Sequence, residues 1–308
     1  MTTILATTND ISREEWLKLR KEGLGGSDAS VVMGVNPWKS PMDLWLEKTD
    51  QYEEDIDSEA AYWGSVLEDI VAREFTKRTG LKVRRRNAIL QHHAYPFMLA
   101  NVDRLIVGKK AGLEVKTGSA YGAKNWQDDQ IPEMYYAQVQ HYMFVTGLPV
   151  WHIAALIGGQ TFIVREVYED QKYQEIMVDA EWDFWQLVQT NTPPPADGSE
   201  ACTKILSKLY PEAEKGKEAQ LPLEAFPLVQ QFEDAGEAEK AAKLRKDEAA
   251  NKLKEMLGDS ERGFIHDRKV SWTNVVTRRF DSKRFQKDYH EIYDQYTNES
   301  LSRRFSIK

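Results

Sequence analysis

A single cysteine, Cys202, stands among 308 residues, so the chain can form no intrachain disulfide and offers no Cys-rich zinc site. No apolar run approaches the ~18 residues that would span a bilayer, and no membrane partner is expected. The opening MTTILATTND has no basic stretch followed by an apolar core. A secretory signal is therefore not expected, and a cytoplasmic location is. There is no internal repeat and no low-complexity tract. Basic side chains are the minority, 41 against 49 acidic, for a formal net charge of -8. Such a balance argues mildly against a chain that coats itself in nucleic acid. What remains is ordinary globular composition, 41% hydrophobic and 29% charged, at a length suited to one large or two modest domains.

The charge is unevenly placed. Residues 201–308 carry 21 basic and 19 acidic side chains, leaving 20 and 30 in the first 200. Residues 53–59 (EEDIDSE) are acidic. Arg73, Lys77, Arg78, Lys82, Arg84, Arg85 and Arg86 then cluster against a single Glu74. A run of this kind is either a solvated face or, if it lies beside catalytic carboxylates, a DNA-binding surface.

Periodicity organises the chain. Residues 12–22 read as a short helix with Ser12 and Glu15 at capping-box spacing. Three glycines in GLGGSDAS (23–30) interrupt it, and Ser27 or Asp28 is placed to cap a second helix. Pro41 suits the first position of a helix over 41–48. Tyr62–Arg78 repeats apolar residues at Trp63, Val66, Leu67, Ile70, Val71 and Phe75, a helical face ended by Gly80. Strand-like segments follow at 81–91, 97–107 and 111–116, the last two joined by a turn at 108–110. A helix is predicted over 133–146. The segments 150–157 and 161–168 flank Gly158-Gly159 as a hairpin. An aromatic-rich helix covers 170–190, before the break at Pro193-Pro194-Pro195. Beyond it, 224–257 reads as one long helix or two bent near Gly236, and 262–280 as a hairpin around His266-Asp267. The order predicts a mixed α/β domain with a C-terminal helix and hairpin extension over 199–308.

Alternation places Glu114 and Lys116 on one strand face, with Val115 opposite, and Asp103 on a neighbouring strand able to meet that face. Two carboxylates with an ammonium beside them match the needs of Mg²⁺-assisted phosphodiester hydrolysis, which wants hard oxygen ligands and charge stabilisation. An edge-strand salt bridge is the alternative for Glu114 and Lys116. His92, His93 and His152 lack zinc-site spacing and read as structural. Trp126, Tyr135 and Tyr136 suit either base stacking or core packing. The basic and aromatic tail suits DNA, a partner or a neighbouring subunit.

The spacing D-x10-E-x-K resembles the signature of the PD-(D/E)XK nucleases, with Val102 where that name places proline. Glu68 in WGSVLE, Gln138 and Tyr142 in QVQHY, and GLGGSDAS followed by NPWKSP narrow the resemblance to the YqaJ-like viral recombinase group, which is allied to the phage lambda-type exonucleases. The resemblance covers about residues 12–190 and implies a restriction-endonuclease-like core, a mixed central sheet flanked by helices, as an exonuclease domain over 1–198. It implies a phage or prophage enzyme, acting in a bacterial host, that digests one strand of linear duplex DNA from the 5′ end. The 3′ overhang so left would serve recombination by strand annealing.

The resemblance further implies two Mg²⁺ ions, with Mn²⁺ able to substitute, a RecT-like or Bet-like single-strand annealing partner, and a homotrimeric ring. Asp103, Glu114 and the Val115 carbonyl would bind metal, and Glu68 would complete the site. Lys116 would activate or position the attacking water and Gln138 help to orient it. Tyr142 would either join the site or pack in the core. Trp16, Arg20 and Ser27 keep the spacing of the segment that holds the terminal 5′-phosphate in lambda-type exonucleases. Arg20 can fork onto phosphate oxygens, and Ser27 can offer its hydroxyl near a helix start. Asn101 stands where that family often has a pocket serine. The alternative makes Trp16 core and Arg20 a surface ion pair. A structure- or site-selective endonuclease, or a non-catalytic DNA-end-binding scaffold, are the competing functions.

Overall fold

A computed structural model describes residues 2–9, 11–52 and 58–307. Most of the acidic block at 53–59 thus lies outside the described residues. The chain forms two compact units, divided between Leu209 and Tyr210.

The first unit opens with strand β1 (Thr2–Thr7) and three short helices, α1 (Arg13–Lys21), α2 (Gly26–Val32) and α3 (Pro41–Lys48). Ser12 caps α1, accepting from the Glu15 N–H while Glu15 reaches back, as its spacing predicted. Ser40 caps α3 in the same way, with Pro41 at the first position. Helix α2 departs from expectation. Its cap is Gly25, and Asp28 accepts the Gly25 N–H at 2.9 Å, so Ser27 and Asp28 lie inside the helix.

Helix α4 (Glu59–Thr79) ends at Gly80, whose φ of 74° suits glycine. It buries Val71, Ala72 and Phe75, but Trp63, Val66 and Ile70 are exposed. The apolar face predicted for α4 therefore packs only along its C-terminal half.

Strands β2 (Val83–Arg85), β3 (Ala88–His92), β4 (Leu99–Ala100), β5 (Arg104–Ile106) and β6 (Ala111–Gly118) follow. The two long strands expected over 81–91 and 97–107 are each divided between sheets. Strands β1, β3 and β4 form one antiparallel sheet, and β2 and β5 join a second. The two sheets are separate, so the chain leaves one before entering the other. That happens at residues 86–87 and again at 101–103. Asp103 accordingly sits in a bend before β5, not within a strand.

After a 3₁₀ helix (Ala120–Trp126) come α5 (Glu133–Thr146), the hairpin β7 (Val150–Ile157) and β8 (Thr161–Tyr168), α6 (Gln171–Gln189) and α7 (Glu200–Leu209). The main sheet has the order β2-β5-β6-β7-β8, antiparallel except for the parallel pair β6 and β7. One face, through Leu113, Val115 and Ala154, packs on Val71, Ala72 and Phe75 of α4. The other carries Trp151, Ile153 and Ala155 into the larger core with Val139, Tyr142 and Met143 of α5. Each such fully buried large side chain contributes ~1.5–3 kcal/mol. Gly112 makes room for this packing, because a Cβ there would meet the Trp151 ring at 2.4 Å. Helix α7 buries Ala201, Cys202 and Ile205. The compact unit thus runs one helix past the boundary expected at 198.

The second unit contains α8 (Ala225–Leu257), a hairpin of β9 (Arg262–Ile265) and β10 (Arg268–Ser271), and helices α9 (Ser282–Asp288) and α10 (His290–Gln295). Helix α8 runs unbroken through Gly236, and the hairpin is shorter than the 262–280 predicted. Among its described residues none is buried. No helix among the described residues is long and apolar enough to cross a membrane.

Candidate active site

Parallel pairing of β6 with β7 fixes which way each β6 side chain points. Leu113 and Val115 go toward α4, and Glu114 goes to the opposite face, toward α5. There Glu114 Oε1 accepts from Lys116 Nζ at 2.7 Å and from Gln138 Nε2 at 2.7 Å. Gln138 also donates to Tyr142 Oη at 2.9 Å, one helical turn on. The QVQHY spacing thus presents amide and phenol on one side of α5. The Lys116 ammonium lies 4.9 Å from the Tyr135 ring centroid, a cation–π contact. Glu114 is buried, and its Oε2 has no hydrogen-bond partner.

Asp103 reaches this group from the bend before β5. Its Oδ2 accepts the Val115 N–H at 2.8 Å, which locks the bend against β6. Burial and the Glu114 carboxylate push the Asp103 carboxyl well above its ordinary range, with Lys116 opposing. Burial alone would lower the Lys116 ammonium, but Glu114 and Asp103 outweigh it and hold Lys116 protonated. Burial and the same two carboxylates raise the Tyr142 phenol, so it stays neutral. Two converging carboxylates against one ammonium leave excess negative charge, and an orphaned buried carboxylate oxygen marks where a cation is wanted. Asp103 and Glu114 therefore fit a hard divalent ion.

Glu68 does not join them. Its Oε1 is held by Arg104 Nη1, and Arg104 Nη2 holds Asp69. Arg104 also donates to the Asp103 main-chain oxygen at 2.7 Å. Glu68 is near enough to raise Asp103 further, but its charge is already answered. Among the described residues no three His, Cys, Asp or Glu side chains form a metal-holding group. Glu68 thus stands apart from the Asp103 and Glu114 pair, held by Arg104. Neither Arg104 nor Asp69 stood out in the sequence. The adjacent acids Glu68-Asp69 and the Asp103-Arg104 dipeptide were the available signal.

The second constellation shares the same cavity, about 230 Å³, lined by Trp16, Arg20, Gly25, Gly26, Ser27, Asn101, Asp103, Glu114, Gln138 and Tyr142 among others. Arg20 Nη2 donates to Ser27 Oγ at 3.3 Å, and its guanidinium stacks 4.9 Å over the Trp16 ring. Trp16 is half-buried, so it is neither core nor free surface. Gly26 permits the close approach of α2 and α5, since a Cβ there would lie 2.5 Å from the Tyr142 ring. Tyr142 thus both packs and reaches the site.

Beneath Arg20 is a buried ion pair that the sequence did not announce. Lys48 Nζ lies 2.8 Å from Asp28 Oδ2 and donates to the Arg20 main-chain oxygen at 2.7 Å. Burial would raise Asp28, but Lys48, Arg20 and Lys39 outweigh it and hold the carboxyl far below its usual range.

A wider cleft opens beside the cavity, lined by Ser65, Glu68, Arg85, Arg86, Asn101 and Asp103. Of the basic cluster, Arg85 and Arg86 reach it. Arg85 pairs with Asp69 and Arg78 with Glu74, so part of the cluster is a paired surface. Trp126 is core, and Tyr136 bonds Asp170. His92 stacks on Phe144, and His152 packs beside Phe75, as structural residues do.

A mixed sheet between helices, with an acid in a bend and Glu-Val-Lys on the adjoining strand, defines the restriction-endonuclease-like class. An alkaline exonuclease of Laribacter hongkongensis shares this fold, with a TM-score of 0.50 at 16% identity, over 64% of this chain and 99% of that one. Residues 15–149 match the family model described as the YqaJ-like viral recombinase domain. The uncharacterized protein YqaJ of Bacillus subtilis is 44% identical over 99% of this chain and 97% of its own length. The uncharacterized protein R354 of Acanthamoeba polyphaga mimivirus is 29% identical over 43% of this chain and 26% of its own. The chain belongs to the YqaJ-like viral recombinase family.

Proposed function

We propose that this chain is a Mg²⁺-dependent 5′→3′ exonuclease of linear duplex DNA, leaving 3′ single-strand overhangs for recombination by annealing. The observation that carries the reading is the shared cavity. An anion-binding set (Arg20, Ser27, Asn101) and the carboxylate pair (Asp103, Glu114) face one space of about 230 Å³. That suits a terminal phosphate held next to the first phosphodiester.

Asp103, Glu114 and the Val115 carbonyl would hold Mg²⁺ or Mn²⁺. The ion would supply charge stabilisation for phosphoryl oxygens and a more acidic bound water. Lys116, kept protonated by its two carboxylates, donates toward the scissile phosphate or the attacking water and offsets charge that develops there. Gln138 holds Glu114 by one N–H and is itself fixed by Tyr142. Arg20, stacked on Trp16, presents its fork to the terminal phosphate, and Ser27 adds a hydroxyl. DNA ends as substrate, an annealing partner of the RecT or Bet type and a ring trimer belong to the same proposal.

With Mg²⁺ present, 5′-phosphorylated linear duplex is expected to be degraded and covalently closed circles to persist. Rapid cutting of circles would instead establish a structure- or site-selective endonuclease.

A further inference from the structure

The carboxylates around the cavity fall into two groups with different charge balance. Glu68 and Asp69 on α4 face two guanidinium groups, Arg104 and Arg85, and each acid is paired. Asp103 and Glu114 face one ammonium, Lys116, and Glu114 Oε2 is left without a partner. The demand for added positive charge is therefore confined to the second group.

Arg104 is not a mobile surface arginine. Its side chain is 6% exposed and bonded to three oxygens, on Glu68, Asp69 and the main chain of Asp103. A guanidinium stays charged at every working pH, and its planar fork fixes where that charge sits. A divalent ion bound through Glu68 would have to share its carboxylate with this guanidinium or displace it. Either way a buried guanidinium would be set beside a second cation, and displacement would also cost it one of its two carboxylates, both unfavourable.

We infer that Arg104 takes the place of a second metal ion beside Glu68, so that the site accepts one divalent cation per chain, at Asp103 and Glu114. The inference rests on the metal-dependent reading above and changes one of its terms. The two ions implied by the family resemblance become one ion and one tethered guanidinium. Glu68 then serves as a positioning residue that holds Arg104 against the Asp103 main chain.

The test is Mn²⁺ binding to the full chain without DNA, read as loss of the free-ion electron paramagnetic resonance signal and as calorimetric stoichiometry. Wild type is expected to bind one ion. Glu68→Gln should leave its affinity unchanged, whereas Asp103→Asn should weaken it at least about tenfold, as loss of a ligand does. Arg104→Met, which frees Glu68, should admit a second ion. Two ions on wild type, or Glu68→Gln weakening binding as much as Asp103→Asn, would overturn the inference alone. No ion on wild type would overturn the metal-dependent reading along with it. If Arg104→Met is too unstable to purify, the wild-type stoichiometry and Glu68→Gln decide the matter.

Discussion

Replacing Lys48 by Met removes the cation that answers Asp28 beneath the proposed phosphate pocket. The Lys48 side chain is fully buried, and its ammonium is 2.8 Å from Asp28 Oδ2 and 2.7 Å from the Arg20 carbonyl. In the variant Asp28 keeps the Gly25 N–H, while the Arg20 guanidinium is 4.0 Å away. Breaking a buried pair from one side costs about 3–5 kcal/mol. For a unit of this size each kcal/mol shifts Tm by about 2–4 °C, so the first unit should melt about 6–20 °C lower. Asp28→Asn combined with Lys48→Met leaves no stranded charge and should recover much of the loss. Differential scanning calorimetry of wild type, both single variants and the double variant measures this. A Lys48→Met cost below about 1 kcal/mol would refute the reasoning, as would a double variant no more stable than the single. The pair also sets an acid limit. Because the folded Asp28 carboxyl is depressed, its contribution is full above the unfolded value of about 3.9 and is lost as pH falls from there through the folded value.

Arg20→Ala should slow digestion about 10- to 100-fold on 5′-phosphorylated ends, the worth of a charged hydrogen bond, and much less on 5′-hydroxyl ends. Steady-state rates on the two substrates check this, and equal slowing would remove the phosphate role. Gly26→Ala drives a methyl group into the Tyr142 ring and should cost about 1–3 kcal/mol, seen as a lower denaturant midpoint. Asp103→Asn should raise the metal-free Tm while abolishing hydrolysis. Burial and Glu114 raise the folded Asp103 carboxyl, so above the unfolded value its ionisation costs stability that asparagine does not. A metal-free Tm lower than wild type would contradict that.

Long elements with one repeating pattern were legible in the sequence. Helices α4, α5 and α6 and the Gly-Gly hairpin of β7 and β8 fall where periodicity and turn residues put them. Short strands were not, because sheet membership is a matter of non-local pairing. Val83–Arg85 and Ala88–His92 are two residues apart in the chain yet lie in different sheets. Strand β1, which pairs with β3, carried only the weak signal of its β-branched Thr2, Thr3, Ile4 and Thr7. At the site, Glu114 and Lys116 were legible because strand alternation puts them on one face, whereas Gln138, 24 residues from Glu114, was reached only through the family resemblance. The Glu68–Arg104 pair was not visible, because its partners lie 36 residues apart in the chain. The Asp28–Lys48 pair was missed for the same reason: Lys48 ends an apolar helix, and nothing local shows that it turns inward.

The central claim is that one cavity grips a 5′-phosphate and hydrolyses the adjoining bond through Asp103, Glu114 and Lys116. Its most direct test follows linear duplex DNA labelled at either the 5′-phosphate or the 3′ end, with wild type and Lys116→Ala in Mg²⁺. Wild type should release the 5′ label first, as mononucleotide, while the 3′ label stays in long single strands, and Lys116→Ala should release neither. Earlier release of the 3′ label, or equal release by Lys116→Ala, would contradict the account.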